Sequence, residues 1–437
     1  MKPLMSKFHR ILSVIARLLL GCTFLFSGFV KAIDPLGTVY KIQDYLQAFS
    51  MPFFLEYAPL MTVLLFSVEM VLGFSHLFGL RQRVTAGFSL LFMLFMTVLT
   101  LVTALTDPVH DCGCFGDAIH LSNWQSFEKN IILSLLSAIL LLYKGELYHL
   151  FGKRTATAAF VVSVLVPLFI SWVSYRHLPF FDFRPYKVGN WLPGLMSVPP
   201  DAPQDQYAVQ FIMEKDGRRK VFNEDEYPTD TAWHYVDRRE ILLRKGYEAP
   251  IGDFAIMHPQ EGDITSRVLN DTSYVFLVSA PYLDKADVCG MQQLQELQAY
   301  ARRYDYPLYI LTSSTLQQQE DCAYEYALDA TFCQTDDIVL KTMVRSNPGL
   351  VVLKGGTVYS KWPACDIDVM LRYVDDMPLS DCYLFQQPRN LNSAVMFFLV
   401  MLTIFLAYFV VSIFRAASLL ITIRKNKITN KLNKQKR

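Results

Sequence analysis

The chain reads as a multi-pass α-helical membrane bundle joined to an extracytoplasmic α/β domain. Three observations predict this. Long apolar segments fill most of residues 11–175. The whole chain is 52% hydrophobic and only 19% charged, with a mean hydropathy of +0.24, which sets it apart from ordinary soluble proteins. Beyond residue 180 charge returns, and strand and helix patterns alternate. The 437 residues leave room for more than one domain. A net charge of +1 creates no global field, so no nucleic-acid partner is expected.

The first ten residues are short and basic, with Lys2, Lys7 and Arg10. Residues 11–33 are almost wholly apolar, and roughly 20 such residues cross a bilayer core. A cleaved signal peptide would have a shorter apolar core ending at small residues. Leu19–Leu20–Gly21–Cys22 faintly resembles a lipoprotein cleavage site, but Thr23–Phe24–Leu25–Phe26 carries the run past the cysteine. The segment is therefore read as a retained first span, with Cys22 a packing residue inside it. Residues 52–79 and 84–106 form the second and third spans, joined by the basic turn Arg81–Gln82–Arg83. Residues 130–143 with their flanks form the fourth span, 156–175 the fifth and 394–414 the sixth.

With the N-terminus in the cytoplasm, Arg81, Arg83, Lys144, Lys153, Arg154 and the basic C-terminal tail all fall on the cytoplasmic side, as the positive-inside rule requires. The expected location is a bacterial inner membrane with both termini cytoplasmic. The Cys112/Cys114 loop and residues 177–392 then face the exported, periplasmic side. The lipid bilayer is the first partner this implies.

This divides the chain into a four-helix bundle (1–150), a fifth transmembrane helix (151–178), a linker with a small β-hairpin (179–245), an α/β domain (246–376), a connector with the sixth helix (377–417) and a basic tail (418–437). Prolines at 179, 185, 193, 199, 200 and 203 mark the linker. Strands at 206–213 and 218–222 meet at Lys215–Asp216–Gly217, a hairpin signal. In the α/β domain, strands are expected at 274–280, 307–312 and 330–333, with helices at 291–304, 315–327 and 336–345. A final hairpin spans 350–354 and 357–361, turning at Gly355–Gly356. This order implies a partly parallel sheet.

The chemistry centres on His110–Asp111–Cys112–Gly113–Cys114–Phe115–Gly116–Asp117, set between two apolar segments. Cys112 and Cys114 can close a small ring through Gly113, and strain in such a ring makes a disulfide easier to reduce. Glycines 113 and 116 permit the tight backbone. Asp111 and Asp117 would raise the thiol pKa, and His110 and His120 would offset them. Three readings stand: a redox pair, which is preferred; a soft-metal site using His110, Cys112, Cys114 and His120; and a static disulfide bracing the loop. At membrane depth, Glu69 and His76 lie two helical turns apart on one face. A carboxylate there faces a bundle interior or cavity, as a proton or quinone-headgroup contact or as a structural hydrogen bond. Lys31 and Asp34 end the first span, and Lys31 is expected to reach lipid headgroups.

Two resemblances rest on these residues. Gly28–Phe29–Val30–Lys31–Ala32–Ile33–Asp34–Pro35 and Cys112–Gly113–Cys114–Phe115–Gly116 resemble the DoxX/MauE family of four-helix membrane proteins. That likeness implies quinone-linked oxidation or disulfide handling during maturation of exported proteins. A looser likeness exists to vitamin K epoxide reductase-type bundles, which place a Cys-x-x-Cys pair beside a quinone pocket. The 246–376 region is similar to the thioredoxin/TlpA fold. Gly246–Tyr247–Glu248–Ala249–Pro250 with Asp253–Phe254 resembles that family's opening segment, and Ser346–Asn347–Pro348–Gly349 its cis-proline loop. Where the family has Cys-x-x-Cys, this chain reads Ser279–Ala280–Pro281–Tyr282–Leu283–Asp284–Lys285, so the domain is expected to lack dithiol chemistry.

Five further cysteines fall on the exported side: Cys289, Cys322, Cys333, Cys365 and Cys382. With Cys112 and Cys114 the number is odd, so one thiol is free or pairs with a partner. Bridges between Cys322 and Cys333 and between Cys365 and Cys382 are weighed against free buried cysteines. The expected function is a quinone-linked thiol–disulfide oxidoreductase with Cys112 and Cys114 as its catalytic pair. Its expected cofactor is a membrane quinone, with no covalently bound cofactor and no resident metal, and its partner an exported client or thiol redox protein. The alternative is a non-enzymatic, membrane-tethered assembly factor for exported proteins.

Overall fold

The computed structural model describes residues 2–109, 112–142, 153–228, 230, 232–244, 246–374 and 376–385. The expected sixth span, the basic tail, Lys144, His110 and Asp111 lie outside the described residues. Six helices build the first part: α1 (Lys2–Ile33), α2 (Pro35–Ala48), α3 (Ala58–Phe78), α4 (Gln82–Thr106), α5 (Asn123–Leu142) and α6 (Lys153–Arg176). Four segments are long and apolar enough to cross a membrane: Leu12–Ile33, Pro52–Phe78, Gln82–Thr106 and Asn123–Leu142. The apolar stretch of α6, Phe160–Arg176, is shorter and contains Pro167.

Helices α1 and α3 cross closely because small residues line the contact. A Cβ on Gly73 would meet the Leu25 amide nitrogen at 2.7 Å, and one on Gly28 the Phe66 carbonyl oxygen at 3.0 Å. Gly79 ends α3 in a left-handed conformation at φ 68°, where a side chain is disfavoured. Helix α2 was not expected from the sequence pattern. Its start is encoded by Asp34, which accepts from the Gly37 amide at 2.9 Å, with Pro35 at the first helical position.

Beyond α6 comes the short helix α7 (Leu192–Met196), then a three-stranded sheet of β1 (Gln206–Lys215), β2 (Arg218–Asn223) and β3 (His234–Arg244) in the order β2-β1-β3. The expected hairpin is present, with Asp216 and Gly217 both at positive φ. Strand β3 extends it into a sheet where only a linker was expected.

The α/β domain then runs β4 (Met257–His258), β5 (Gly262–Asp263), α8 (Thr265–Asn270), β6 (Tyr274–Ser279), α9 (Val288–Arg303), β7 (Leu308–Thr312), α10 (Leu316–Glu325), β8 (Thr331–Gln334), α11 (Asp337–Met343), β9 (Gly349–Lys354), β10 (Thr357–Pro363) and α12 (Ile367–Val374). The seven-stranded order is β10-β9-β6-β7-β8-β4-β5. Strands β6, β7 and β8 are parallel, and β9 and β10 run antiparallel to β6 and to each other, respectively. A βαβ half (β6-α9-β7) joined edge to edge with a ββα half (β9-β10-α12) is the thioredoxin arrangement. The Asn347–Pro348 peptide between α11 and β9 is cis, at the position expected for the fold's cis-proline.

The sheet is buried on both faces, and every residue of β6 is buried. One face packs Phe276, Met291, Leu297, Ile310 and Met370; the other packs Ile256, Leu277, Leu311, Leu340 and Val351. This topology speaks against both of the bridges that were weighed and for free thiols. Cys322 lies in the first core and Cys333 in the second, so the sheet separates them. Cys382 is buried in the first core, while Cys365 is exposed and donates to the Arg176 carbonyl. All eight cysteines are free thiols.

Candidate redox site

The cysteine loop sits where α4 and α5 are joined, against the C-terminal end of α1. Gly113 and Gly116 adopt positive φ (62° and 51°), so the chain doubles back within Cys-Gly-Cys-Phe-Gly. The Cys112 and Cys114 Sγ atoms lie 2.8 Å apart as free thiols sharing one hydrogen bond.

The bundle holds this loop by its backbone carbonyls. Lys31 Nζ donates to the Cys114 carbonyl at 2.5 Å, and Ser27 Oγ donates to the same oxygen at 2.8 Å. The Tyr45 hydroxyl, from α2, donates to the Cys112 carbonyl at 3.1 Å. Lys31 does not reach lipid headgroups as expected. Its side chain is 4% exposed and pairs with Glu69, 5% exposed, at 3.0 Å, because a lysine at this depth is stabilised only by a carboxylate on the neighbouring helix. Glu69 is thus part of the floor of the site. His76, two turns further along α3, points to other partners: its Nε2 lies 2.6 Å from Ser89 Oγ, and its ring stacks on Phe24. The shared face does not bring Glu69 and His76 to one site.

The two thiols differ electrostatically. Cys114 is drawn below the ordinary thiol range, first by the hydrogen bond from Cys112 and then by Lys129 and Lys31, against the opposing effect of burial. Cys112 is pushed up, because it keeps the proton of that hydrogen bond and is itself buried. One proton therefore leaves the pair readily and the second is held. Lys129, which also lies 4.5 Å over the Phe115 ring, is a site residue the sequence reading missed. Its signal was a single lysine just before the apolar run of the fourth span.

The thioredoxin-like domain closes over the same end of the bundle. Arg345, three residues before Pro348, donates from Nε to Asp34 at 3.0 and 3.1 Å and from Nη2 to Asp117 at 2.9 Å. Burial would lower the Arg345 pKa, but Asp34 and Asp117 outweigh it and raise it. Asp117 was expected to depress thiolate formation, yet its carboxylate is engaged by this guanidinium. Beside it, Lys341 lies 5.4 Å from the Tyr40 ring of α2 and 5.0 Å from the Tyr282 ring. Tyr282 stands where the family's dithiol would follow β6, and its hydroxyl donates to Asp337 at 2.6 Å. The Asn347 side chain donates to the Tyr282 carbonyl at 2.8 Å, joining the cis-proline loop to this segment. The face that carries thiols in thioredoxins here carries a tyrosine, a lysine and an arginine beside the bundle. His120 lies exposed at the far end of the cysteine loop.

Residues 9–143 match the family model of methylamine utilisation protein MauE, and residues 207–245 match a domain of unknown function. Similar solved structures include the bacterioferritin comigratory protein of Xanthomonas campestris, at 9% identity over 29% of this chain and 91% of that one, with a TM-score of 0.22. A thiol peroxidase from Chromobacterium violaceum is 12% identical over 29% of this chain and 84% of that one, with a TM-score of 0.22. No curated protein matches the chain. The chain thus joins a MauE-like membrane bundle, over residues 9–143, to a thioredoxin-like α/β domain.

Proposed function

We propose that this is a membrane thiol–disulfide oxidoreductase whose redox pair is Cys112 and Cys114. The observation that carries the reading is the 2.8 Å contact between two free thiols in a loop gripped by bundle and domain alike. The Cys114 thiolate attacks one sulfur of a partner disulfide, and the other partner sulfur leaves as a thiol. Cys112 then loses its proton and displaces the partner, which departs as a dithiol while Cys112 and Cys114 become a disulfide. The same steps run in reverse when a partner dithiol is oxidised. The positive charges of Arg81 and Arg83 support placing the cysteine end on the exported side. An oxidising compartment on that side lets the disulfide forms of the pair and of its partner persist.

A membrane quinone, implied by the family likeness, supplies two-electron, two-proton exchange when bound. Glu69 is paired with Lys31 and His76 Nε2 with Ser89 Oγ, so this reading does not rely on either of them as the contact. The Phe26 and Phe115 rings, 5.4 Å apart, with the Lys129 ammonium 4.5 Å over the Phe115 ring, fit a flat, electron-poor headgroup whose carbonyls accept hydrogen bonds. The thioredoxin-like domain holds the loop and selects the exported partner.

The test is the redox state of variants that keep only Cys112 and Cys114, acid-trapped in growing cells and labelled with a heavy maleimide. Oxidised thiols that become reduced when respiration is blocked support the reading. A pair locked in one state under both conditions defeats the quinone link.

One observation favours the second reading, a non-enzymatic assembly factor: Tyr282 occupies the place of the family's dithiol. Under that reading, replacing Cys112 and Cys114 by alanine leaves client maturation intact at matched protein levels.

A further inference from the structure

A second group of donor side chains lies away from the cysteine loop, where α6 meets the thioredoxin-like domain. His177 stands immediately beyond α6, and Cys365 and Asp366 lie in the 3-10 turn that follows β10. His177 Nδ1 lies 2.9 and 3.0 Å from the two Asp366 oxygens, although the residues are 189 apart in sequence. Cys365 Sγ lies 3.7 Å from Asp366 Oδ1 and 2.7 Å from the Arg176 carbonyl oxygen. One donor atom from each of the three side chains falls within 4.8 Å of the other two. Among the described residues, this is the group of His, Cys, Asp and Glu that could hold a metal ion.

We propose that His177, Cys365 and Asp366 bind a divalent transition metal of the zinc class, fastening the end of α6 to the thioredoxin-like domain. The donor set selects the metal. Calcium and magnesium take oxygen ligands, whereas a thiolate with an imidazole favours zinc and its neighbours. Donors around a tetrahedral zinc stand about 3.3–3.8 Å apart, from bond lengths of about 2.0–2.3 Å. The present separations reach that spacing with shifts of about an ångström. Cys365 gives its proton to solvent as the metal binds and releases the Arg176 carbonyl. Three protein ligands leave a fourth position open, and the 53% exposure of the His177 side chain places it toward solvent. Neither Cys112 nor Cys114 takes part, so this inference stands independently of the redox reading.

The experiment uses the full chain in detergent micelles with Cys112→Ser and Cys114→Ser, titrated with cobalt(II). One equivalent is expected to bind with a thiolate-to-cobalt charge-transfer band, and zinc(II) is expected to displace it. Cys365→Ser abolishes the band, while His177→Ala and Asp366→Asn each weaken binding by about tenfold or more. A titration without a thiolate band, a band that survives Cys365→Ser, or undiminished affinity in both other variants overturns the proposal. A readout free of ligand variants accompanies it. Zinc(II) is expected to protect Cys365 from maleimide, identified by peptide mapping, and unchanged labelling with and without zinc also overturns the site.

Discussion

Arg345 Nη2 lies 2.9 Å from Asp117 Oδ2, joining the residue three before the cis proline to the residue three after Cys114. The same guanidinium holds Asp34 at the N-terminus of α2. One side chain, 7% exposed, thereby couples three elements: the thioredoxin-like domain, helix α2 and the cysteine loop. A pairing this buried is unforgiving of single losses, since each partner left behind keeps its desolvation penalty.

Arg345→Ala is therefore expected to destabilise the protein by about 3 kcal/mol, the lower end for a broken buried pair, because the two carboxylates retain some solvent. Thermal unfolding in detergent measures this. Maleimide labelling of Cys112 and Cys114 should accelerate as the domain loosens from the loop. Arg345→Lys should restore little, since a single ammonium does not fork between two carboxylates. Unchanged melting and labelling in the alanine variant would remove the clamp from the account.

Gly37→Ala probes the same contact with the opposite bias. Within a helix, alanine is favoured over glycine by roughly 1 kcal/mol. Here the new Cβ would fall on the Asp34 carboxylate and 2.7 Å from Arg345 Nη2. Melting at lower temperature than the parent is expected. A stabilised variant would show that the docking yields freely.

The reach of the sequence differs between fold and site for a physical reason. The first four spans, β6, α9 and the Gly355–Gly356 hairpin are set by local periodicity and turn chemistry, and all are readable. Capping is local too, yet α2 was overlooked, although Asp34–Pro35 announces it. The site depends on partners far apart in the chain. Lys31 and Glu69 are 38 residues apart, and Arg345 and Asp117 are 228 apart. Periodicity assigns a residue to a face but not to a partner, which is why Lys31 was expected at headgroups and Glu69 beside His76. The Cys322–Cys333 bridge weighed against free thiols illustrates the same limit: proximity along the chain says nothing about which side of a sheet each thiol occupies.

The Cys112–Cys114 hydrogen bond makes a prediction in pH. Thiolate is the form that alkylates, so a lowered pKa moves the rate profile to lower pH. In the reduced protein, one equivalent of iodoacetamide is expected to react at Cys114 with a midpoint well below the value of about 8.5 of an ordinary thiol. Cys112→Ala removes the largest cause, so the Cys114 midpoint should rise. Lys129→Met should raise it as well, by less. Profiles that coincide in all three proteins would mean that Cys112 and Lys129 do not share the proton or field of Cys114.

Lys31 and Glu69 permit a sharper separation of structure from chemistry. Lys31 donates to Glu69 at 3.0 Å and to the Cys114 carbonyl at 2.5 Å, so it acts on both the core and the loop. Lys31→Met leaves Glu69 buried without its cation, a loss of about 3–5 kcal/mol. Glu69→Met leaves Lys31 in the same position, with a similar loss. The double variant removes both charges, and isosteric apolar replacement of a buried pair is often close to neutral. Stability should therefore recover in Lys31→Met/Glu69→Met well beyond the sum of the single changes. The loop behaves differently, because the Cys114 carbonyl then retains only Ser27 Oγ as a bundle donor. The double variant should melt near the parent temperature while its Cys112 and Cys114 thiols exchange with a small disulfide at an altered rate. Restored stability together with an unaltered exchange rate would confine the pair to holding the helices together. Additive losses without recovery would show that the two charges do not interact in the folded protein.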